Sequence, residues 1–170
     1  MNEKFTAPFG FKDSLPKTAD AWRKVHNACD KVGDLYKFYL IETPVVENVG
    51  LLNKGLGDDK SVVTCRIGNE NVAFRREGTV PVLRSYIEHQ LGRFALPLRV
   101  AYRGPFFRKD GDLVQHHEHG FSIIGENLPF YDVEIILALV DVLRSLGFCD
   151  PVVHINTAAV SYTHLTLPTN

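Results

Sequence analysis

Alternating side-chain character in the second half of the chain predicts a long β-hairpin. Apolar and aromatic residues recur along two runs, residues 102–108 and 113–126. The polar break between them, at residues 109–112, contains a glycine. Two β-rich runs joined by a short Gly-containing loop are typical of an antiparallel pair. Because successive side chains alternate across a strand, the second run has two faces. One face is polar with a glycine gap: Val114, His116, Glu118, Gly120, Ser122 and Ile124. The other carries Leu113, Gln115, His117, His119, Phe121 and Ile123.

Apolar spacings of three and four residues predict three helices. The second helix begins after residues 77–79, with Pro81 in its first turn. The third covers residues 131–146, with Asp132 as its cap and Gly147 as its stop. The first helix carries the stripe Trp22, Val25, Cys29, Val32 and Tyr36.

The remaining β-rich runs fit a mixed architecture. Residues 62–66 and 72–76 predict a second hairpin across a turn rich in Gly and Asn. Pro44 excludes the run at residues 40–47 from a central strand and favours an edge or interface strand. A further strand is expected at residues 152–156. Strict βαβ alternation is missing, so we expect an α+β fold with a largely antiparallel sheet flanked by helices.

Composition is that of one globular domain. The chain has 170 residues, of which 45% are hydrophobic and 23% charged, enough for a single core. No apolar run approaches the roughly 18 residues of a membrane span and no secretory leader is evident, so the cytoplasm is the expected location. Cys29, Cys65 and Cys149 are far apart and odd in number, which favours reduced thiols over a disulfide framework or a zinc motif.

Positive charge is concentrated in residues 75–109. That segment has eight basic and two acidic residues, a net charge of +6, against −7 for the rest of the chain. Such asymmetry suits an anionic ligand, such as a nucleotide phosphate or a nucleic-acid backbone. Arginines solvated on helix and strand surfaces explain it equally well. The basic residues are Arg75, Arg76, Arg84, Arg93, Arg99, Arg103, Arg108 and Lys109.

The histidines of the hairpin do not predict a metal site. Alternation places His116 and Glu118 on one face and His117 and His119 on the other. A zinc site needs three or four converging ligands, so no metal is predicted here.

An ordered series of segments resembles the catalytic domain of class II aminoacyl-tRNA synthetases, specifically the histidyl-tRNA synthetases, over roughly residues 5–157. Together the segments are far more specific than any one of them. They are GFKDSLP at residues 10–16, the Pro44 region at 38–47, FRREGT at 74–79, GPFFRKD at 104–110, and DVE at 132–134 with HINT at 154–157.

The resemblance implies ATP-dependent activation of histidine and its transfer to tRNA. ATP with Mg²⁺ would be a substrate, without a tightly bound cofactor, and the partners would be histidine, ATP, tRNA and a second copy of the chain. Charge develops on oxygens in each step, so positioned cations supply most of the stabilisation and no covalent nucleophile is needed.

The resemblance also assigns residues. Arg108 would be catalytic and would clamp the α-phosphate and the substrate carboxylate with its forked guanidinium. Pro44 would lie at a dimer interface. The histidine site would comprise Glu77, Gly78, Thr79, Glu118 at the ammonium and Ser122 at the imidazole. ATP would contact Arg108, Asp110 and His116, whose imidazole replaces an aromatic residue that stacks on adenine.

Two other functions remain open. The loop after Arg108 is about four residues shorter than in the synthetases, which favours the synthetase-like regulatory subunit of ATP phosphoribosyltransferase. Retention of Glu77-Gly78-Thr79 favours the synthetase instead. A nucleic-acid-binding module built on the basic segment is a third possibility.

One domain followed by a tail is expected. Residues 1–157 would be the amino-terminal part of the synthetase catalytic domain. Residues 158–170 have no clear period and are expected to be a non-native or disordered tail. A chain that lacks the family's motif 3 is expected to show little or no activity on its own.

Overall fold

The computed structural model describes residues 5–56, 61–94, 96–109 and 114–155. Helices and strands alternate irregularly along the chain, and a single 3₁₀ turn follows the third helix. The elements are α1 (Pro16–Tyr36), β1 (Tyr39–Leu40), β2 (Val46–Asn48), α2 (Val49–Leu56), β3 (Thr64–Ile67), β4 (Glu70–Phe74), α3 (Thr79–Glu88), the 3₁₀ turn Leu91–Arg93, β5 (Leu98–Phe107), β6 (Gln115–Ile124) and α4 (Pro129–Ser145).

The strands form two sheets of three strands each. The first has the order β1-β5-β6 and the second the order β2-β4-β3. Only the short β1–β5 pairing is parallel among the described strands, with Tyr39 opposite Val100. The predicted α+β fold with a largely antiparallel sheet flanked by helices is therefore confirmed.

The long hairpin of β5 and β6 has the predicted alternation. Its register runs from Leu98 opposite Ile124 to Phe107 opposite Gln115. β5 continues without interruption through Gly104 and Pro105, because Gly104 adopts φ +132°, a conformation that favours glycine. We call the face with Val100, Tyr102, Gly104 and Phe106 on β5 and His116, Glu118, Gly120 and Ser122 on β6 the front face.

The back face of the hairpin packs on α1 and α4. Apolar burial there is the main stabilising contribution, at about 25 cal/mol per Å². Two polar links hold α4 in place: Arg99 donates two hydrogen bonds to Glu134, at 2.5 and 2.9 Å, and the Tyr36 hydroxyl donates to Asp141 at 2.8 Å. The core residues are Ala28, Cys29, Val32, Phe38, Ala101, Phe121, Ala138 and Val142.

A smaller core lies under the second sheet. Leu52 of α2 packs with Val62 and Ala73, and both Leu52 and Ala73 are fully buried. The predicted hairpin is present as β3 and β4, with a turn in which Gly68 has φ +60°. The helix α2 is not among the sequence predictions.

The predicted edge position of the run around Pro44 is confirmed, although the run is split: β1 and β2 are edge strands of different sheets, and Pro44 lies between them. Two other sequence predictions about local structure were wrong. Leu128 precedes α4 as its cap, whereas Asp132 lies within the first turn. Residues 151–155 form no strand, since no described strand pairs with them. Asn156 and the predicted tail at residues 158–170 fall outside the described residues.

No helix within the described ranges has the length and apolar character needed to cross a bilayer. The three thiols, which all fall in those ranges, are free: Cys29 is buried, Cys65 half-buried and Cys149 exposed.

Candidate substrate site on the front face

The junction between β4 and α3 lies over the front face. Gly78, in this junction, is buried directly against the ring of Tyr102 on β5. The chain folds this way locally because the Glu77 carboxylate closes the start of α3. Its oxygens accept hydrogen bonds from the backbone N–H groups of Thr79, at 2.5 Å, and Val80, at 2.8 Å. A carboxylate at a helix start also complements the helix dipole.

The ring of Tyr102 fills a gap between two glycines from different elements. A Cβ atom on Gly78 would lie 1.9 Å from Cε2 of this ring, and one on Gly120 would lie 2.3 Å from its Cζ. Neither position accepts a side chain while the ring stays in place. The predicted glycine gap in the floor strand is thus occupied by Tyr102, its cross-strand partner.

The hydroxyl of Tyr102 lies beside one of the predicted site residues, Thr79. It shares a hydrogen bond with the Thr79 side chain. Burial raises the pKa of Tyr102, the Thr79 hydrogen bond lowers it, and the negative charges of Glu118 and Glu77 raise it. The phenol therefore stays protonated at neutral pH. Glu77 and Glu118, also predicted to bind histidine, thus act on this hydroxyl through their charge.

His116 is joined to the same cluster through Glu118. The distance between His116 Nε2 and Glu118 Oε1 is 2.7 Å, and both side chains are half-buried. The ring of Phe106, opposite His116 on β5, lies 6.2 Å away between centroids. The stacking of His116 on adenine stays a prediction.

Arg75, which is only 4% exposed, lies on the front face beside Gly104 and over the ring of Phe106. It donates to the carbonyl oxygens of Thr43 at 2.8 Å and Pro105 at 3.0 Å, and to the Thr43 hydroxyl at 3.0 Å. Burial lowers the pKa of Arg75, and Glu47, Glu118 and Glu42 oppose that change. Arg75 thus links the segment preceding Pro44 to the hairpin.

Arg108 lies at the far end of the hairpin from Ser122. Its backbone N–H donates to the Val114 carbonyl at 2.9 Å, and the side chain is half-buried. Residues outside the hairpin hold the base of the connecting loop. The Val114 N–H donates to the Gly10 carbonyl at 2.8 Å, and the Lys109 N–H donates to the Ser61 carbonyl at 2.8 Å. Asp110, predicted to contact ATP, lies outside the described residues.

Ser122 and Pro44 lie in separate cavities. Ser122 and Thr79 both line a cavity of about 220 Å³ whose other walls, Val82, Leu83, Ile124 and Ile135 among them, are apolar. Pro44 lines a cavity of about 620 Å³ on the second sheet, together with Glu47 and Arg84. The structure therefore places Pro44 apart from the cluster around Tyr102.

The basic segment is largely matched inside the fold. Arg84 donates to the buried Glu47 at 2.9 Å, and Arg103 donates to Asp30 at 2.8 Å. Arg99 pairs with Glu134, and Arg75 binds backbone oxygens. The net charge of residues 75–109 thus overstates the positive charge that these four side chains present to a ligand.

The back-face histidines have aromatic neighbours on α1. The ring of His117 lies 5.0 Å from that of Trp22, and the ring of His119 lies 6.0 Å from that of His26. This confirms the predicted separation from His116 and Glu118. Within the parts of the chain that the structure describes, no group of three or more His, Cys, Asp or Glu residues is arranged to hold a metal ion.

The sequence analysis missed Tyr102 as a site residue. Its role depends on two glycines, Gly78 and Gly120, that come from different elements and meet only in the folded chain. The available signal was the glycine gap opposite Tyr102 in the predicted hairpin register.

Solved structures with the same fold are class II aminoacyl-tRNA synthetase catalytic domains. Apo histidyl-tRNA synthetase from Staphylococcus aureus superposes with a TM-score of 0.75 and 30% identity, over 85% of this chain and 40% of that one. A protein from Bacillus halodurans C, described as an ATP phosphoribosyltransferase regulatory subunit/histidyl-tRNA synthetase, has a TM-score of 0.74 at 24% identity, over 86% of this chain and 40% of that one. At that identity the second likeness shows the fold alone.

Sequence comparison defines the family. The sequence profile described as "Histidyl-tRNA synthetase" matches residues 10–165. The histidine–tRNA ligase of Moorella thermoacetica is 34% identical over 160 residues, which is 88% of this chain and 38% of that protein. This chain belongs to the histidyl-tRNA synthetase family. It spans about two fifths of the length of that relative, 38%. Since the family match continues to residue 165, the boundary expected after residue 157 stays a prediction.

Proposed function

We propose that this chain is the amino-terminal part of the catalytic domain of a histidine–tRNA ligase, and that its front face binds histidine and ATP. The observation that carries the proposal is the packing of Tyr102 between Gly78 and Gly120, which brings the junction with Glu77 and Thr79 over the floor strand with Glu118. Two carboxylates, Glu118 on the partly buried floor and Glu77 at the junction, attract a cationic group such as the ammonium of an amino acid. In the complete enzyme, histidine would be activated with ATP and transferred to tRNA.

The proposed reaction uses position and charge. A carboxylate oxygen of histidine attacks the α-phosphorus of ATP, pyrophosphate leaves, and the histidyl group then passes to the tRNA terminus. Arg108 would contact the α-phosphate and the substrate carboxylate, since its planar fork suits both groups. Mg²⁺ would accompany ATP as part of the substrate and neutralise its phosphates. Asp110 would complete this ATP end of the site.

The remaining proposed ligand contacts lie towards the two ends of the front face. His116, held by Glu118 at 2.7 Å, would stack on adenine. Gly78 would allow close approach at the junction. Ser122 would meet the imidazole at the 220 Å³ cavity, where among the described residues it supplies the one polar side chain that β6 adds to the lining. A neutral imidazole suits this lining better than a charged one, because a buried charge needs a partner.

We also propose that the chain forms a homodimer through the surface around Pro44 and β1. The support is an apolar exposed surface: Tyr39 is 67% and Phe94 67% exposed. Both line a groove of about 480 Å³ with Ile41, Leu91, Leu98 and Val100. Sedimentation of the wild-type chain and of Tyr39→Glu would test it, since a charge in this groove should yield monomers. The cytoplasmic location remains the expectation from the sequence.

Calorimetric titration of the purified chain with L-histidine, and separately with Mg·ATP, tests the proposed function. We expect saturable histidine binding that Glu118→Ala weakens at least tenfold, whereas Glu70→Ala, at the exposed first residue of β4, leaves it unchanged. Histidine-dependent ATP–pyrophosphate exchange should be weak or undetectable with these 170 residues. A folded chain that binds histidine no better than leucine would contradict the proposed substrate.

The regulatory subunit of ATP phosphoribosyltransferase is the second candidate. The strand register closes at Phe107 and Gln115, so only residues 108–114 connect β5 to β6. This short connection leaves few residues to hold ATP or a tRNA end. Histidine binding that is insensitive to Arg108→Ala, without any Mg·ATP binding, would favour this candidate over the synthetase.

A further inference from the structure

We propose that Tyr102 is a positioning residue of the front-face site: it fixes the Thr79 hydroxyl and the junction above it relative to Glu118 on the floor. The ligand in this inference is taken from the proposed function. The position of Tyr102, in contrast, is a property of this chain alone. Tyr102 would act through Thr79 and is not itself assigned a contact with the reacting atoms.

The ring is held on both sides by backbone. The space between Gly78 and Gly120 has room for the ring only because neither residue has a Cβ atom, which would approach it to 1.9 and 2.3 Å. A ring held in this way has little freedom to turn. The direction of its hydroxyl is therefore fixed by packing rather than by the hydrogen bond it makes.

The hydroxyl connects the fixed ring to the junction. Thr79 is the first residue of α3, and its backbone N–H is already bonded to Glu77. Its side chain is exposed and shares a hydrogen bond with Tyr102. Without the phenol hydroxyl, the Thr79 side chain would be free to rotate among its rotamers, since an exposed threonine has more than one that is compatible with a helix.

The hydroxyl also lies in the field of both carboxylates. Glu118, on the floor, and Glu77, at the junction, each act on the Tyr102 hydroxyl. A neutral hydroxyl can donate to or accept from groups placed around it without adding charge. Tyr102 thus lies between the junction that carries Glu77 and the strand that carries Glu118, in contact with Gly78 on one and Gly120 on the other.

The variant Tyr102→Phe tests the proposal, because it keeps the ring between the glycines and removes only the hydroxyl. The matched control is Tyr86→Phe, whose hydroxyl lies beside Gly92 at the other end of α3. Two readouts are needed: the affinities for L-histidine and Mg·ATP, and the ¹⁵N-resolved amide signals of Thr79 and Val80 without ligand.

We expect Tyr102→Phe to bind histidine about five- to tenfold more weakly, as one lost hydrogen bond predicts, with Mg·ATP affinity changed less than about twofold. The Thr79 and Val80 amide signals should shift and exchange faster, while the melting temperature changes by less than about 3 °C. Gly120→Ala, which displaces the ring, should have a similar effect on histidine affinity. Tyr86→Phe should change none of these quantities.

The outcomes separate this inference from the proposed function. If the wild-type chain binds no histidine, the proposed function fails, and the amide signals alone decide the role of Tyr102. Unchanged Thr79 and Val80 signals in Tyr102→Phe would overturn the positioning role whatever the ligand result. Equal losses of histidine and ATP affinity, or a large fall in melting temperature, would show that Tyr102 only stabilises the core.

Discussion

Arg75 lies over the ring of Phe106, with its guanidinium carbon 4.4 Å from the ring centroid. Phe106 is fully buried and Arg75 almost so. The same guanidinium donates hydrogen bonds to the backbone of Thr43 and of Pro105. One side chain therefore joins three separate parts of the chain, and its planar shape makes the stacking and the hydrogen bonds possible together.

Replacing Arg75 with lysine should destabilise the fold strongly. Lysine keeps the charge but loses the fork and the flat stacking surface, leaving buried carbonyl oxygens without donors. We expect a loss of about 2–4 kcal/mol in the free energy of unfolding, measured by urea denaturation. Arg23→Lys, at an exposed pair with Asp20, should change it by less than about 0.5 kcal/mol. Equal effects of the two variants would contradict this account.

Acid should weaken the contact between α1 and β6. Burial lowers the pKa of His119 to about 4, helped by the charges of His26 and Arg103 and opposed by Asp30. Among the residues that the structure describes, neither ring nitrogen of His119 has a hydrogen-bond partner. Between pH 6.5 and 4 the unfolded chain binds a proton that the folded chain excludes, so the free energy of unfolding falls as the pH falls. Burial also lowers the pKa of His26, which acts in the same direction.

Urea denaturation across this pH range measures the effect. His119→Phe should lose less stability than the wild type between pH 6.5 and 4, by about 1–3 kcal/mol after allowing for partial exposure. Phenylalanine keeps the contact with Phe121, whose centroid is 5.5 Å away. His89→Gln, at an exposed position, should follow the wild-type profile. Parallel profiles for His119→Phe and the wild type would show that His119 is not responsible.

The three thiols should react with iodoacetamide at very different rates. Burial, together with the charge of Asp30, raises the pKa of Cys29 to about 11, so little thiolate forms at pH 8. Peptide mass spectrometry should find Cys149 modified first and Cys29 unmodified in the folded chain. In urea all three should react, which controls for intrinsic reactivity. Rapid labelling of Cys29 in the folded chain would contradict its burial against β6.

Glu77 should contribute to stability independently of any ligand. Glu77→Ala removes the acceptor of the Thr79 and Val80 N–H groups and should cost about 1 kcal/mol, as loss of a helix cap does. Glu77→Gln keeps one side-chain oxygen and should cost about half as much. Thermal denaturation without ligand measures both variants. A larger loss for Gln than for Ala would show that the cap is not what Glu77 supplies.

Local patterns predicted the parts of the fold that depend on local chemistry. The two faces of β6 were predicted correctly because one face is buried on α1 and α4, and burial fixes which residues alternate. The helix α2 was missed because VGLLNKGL contains two glycines, which lower helix propensity, although Asn48 caps the helix by accepting the Gly50 N–H at 2.8 Å. Burial of Leu52 stabilises it instead, and that contact depends on β4.

Contacts between distant residues account for most of what the sequence did not predict about the site. The pairing of β1 with β5 joins residues about 60 positions apart, and no turn signal marks it. Glu77, Thr79 and Glu118 were predicted from the resemblance, whereas Tyr102 follows from the meeting of Gly78 and Gly120. The strand expected at residues 152–156 was predicted from its β-branched residues. Such a composition leads to a strand only where a partner strand lies beside it.

The internal matching of the basic segment bears on how a polyanion would bind. Each phosphate that a cation neutralises releases counterions and adds about 0.7–0.9 to the slope of log affinity against log salt. Arg75, Arg84, Arg99 and Arg103 already have partners within the fold, and each would have to exchange one for a phosphate. Their release of counterions would be small, so affinity for RNA should depend on salt much less steeply than the eight cations of residues 75–109 suggest.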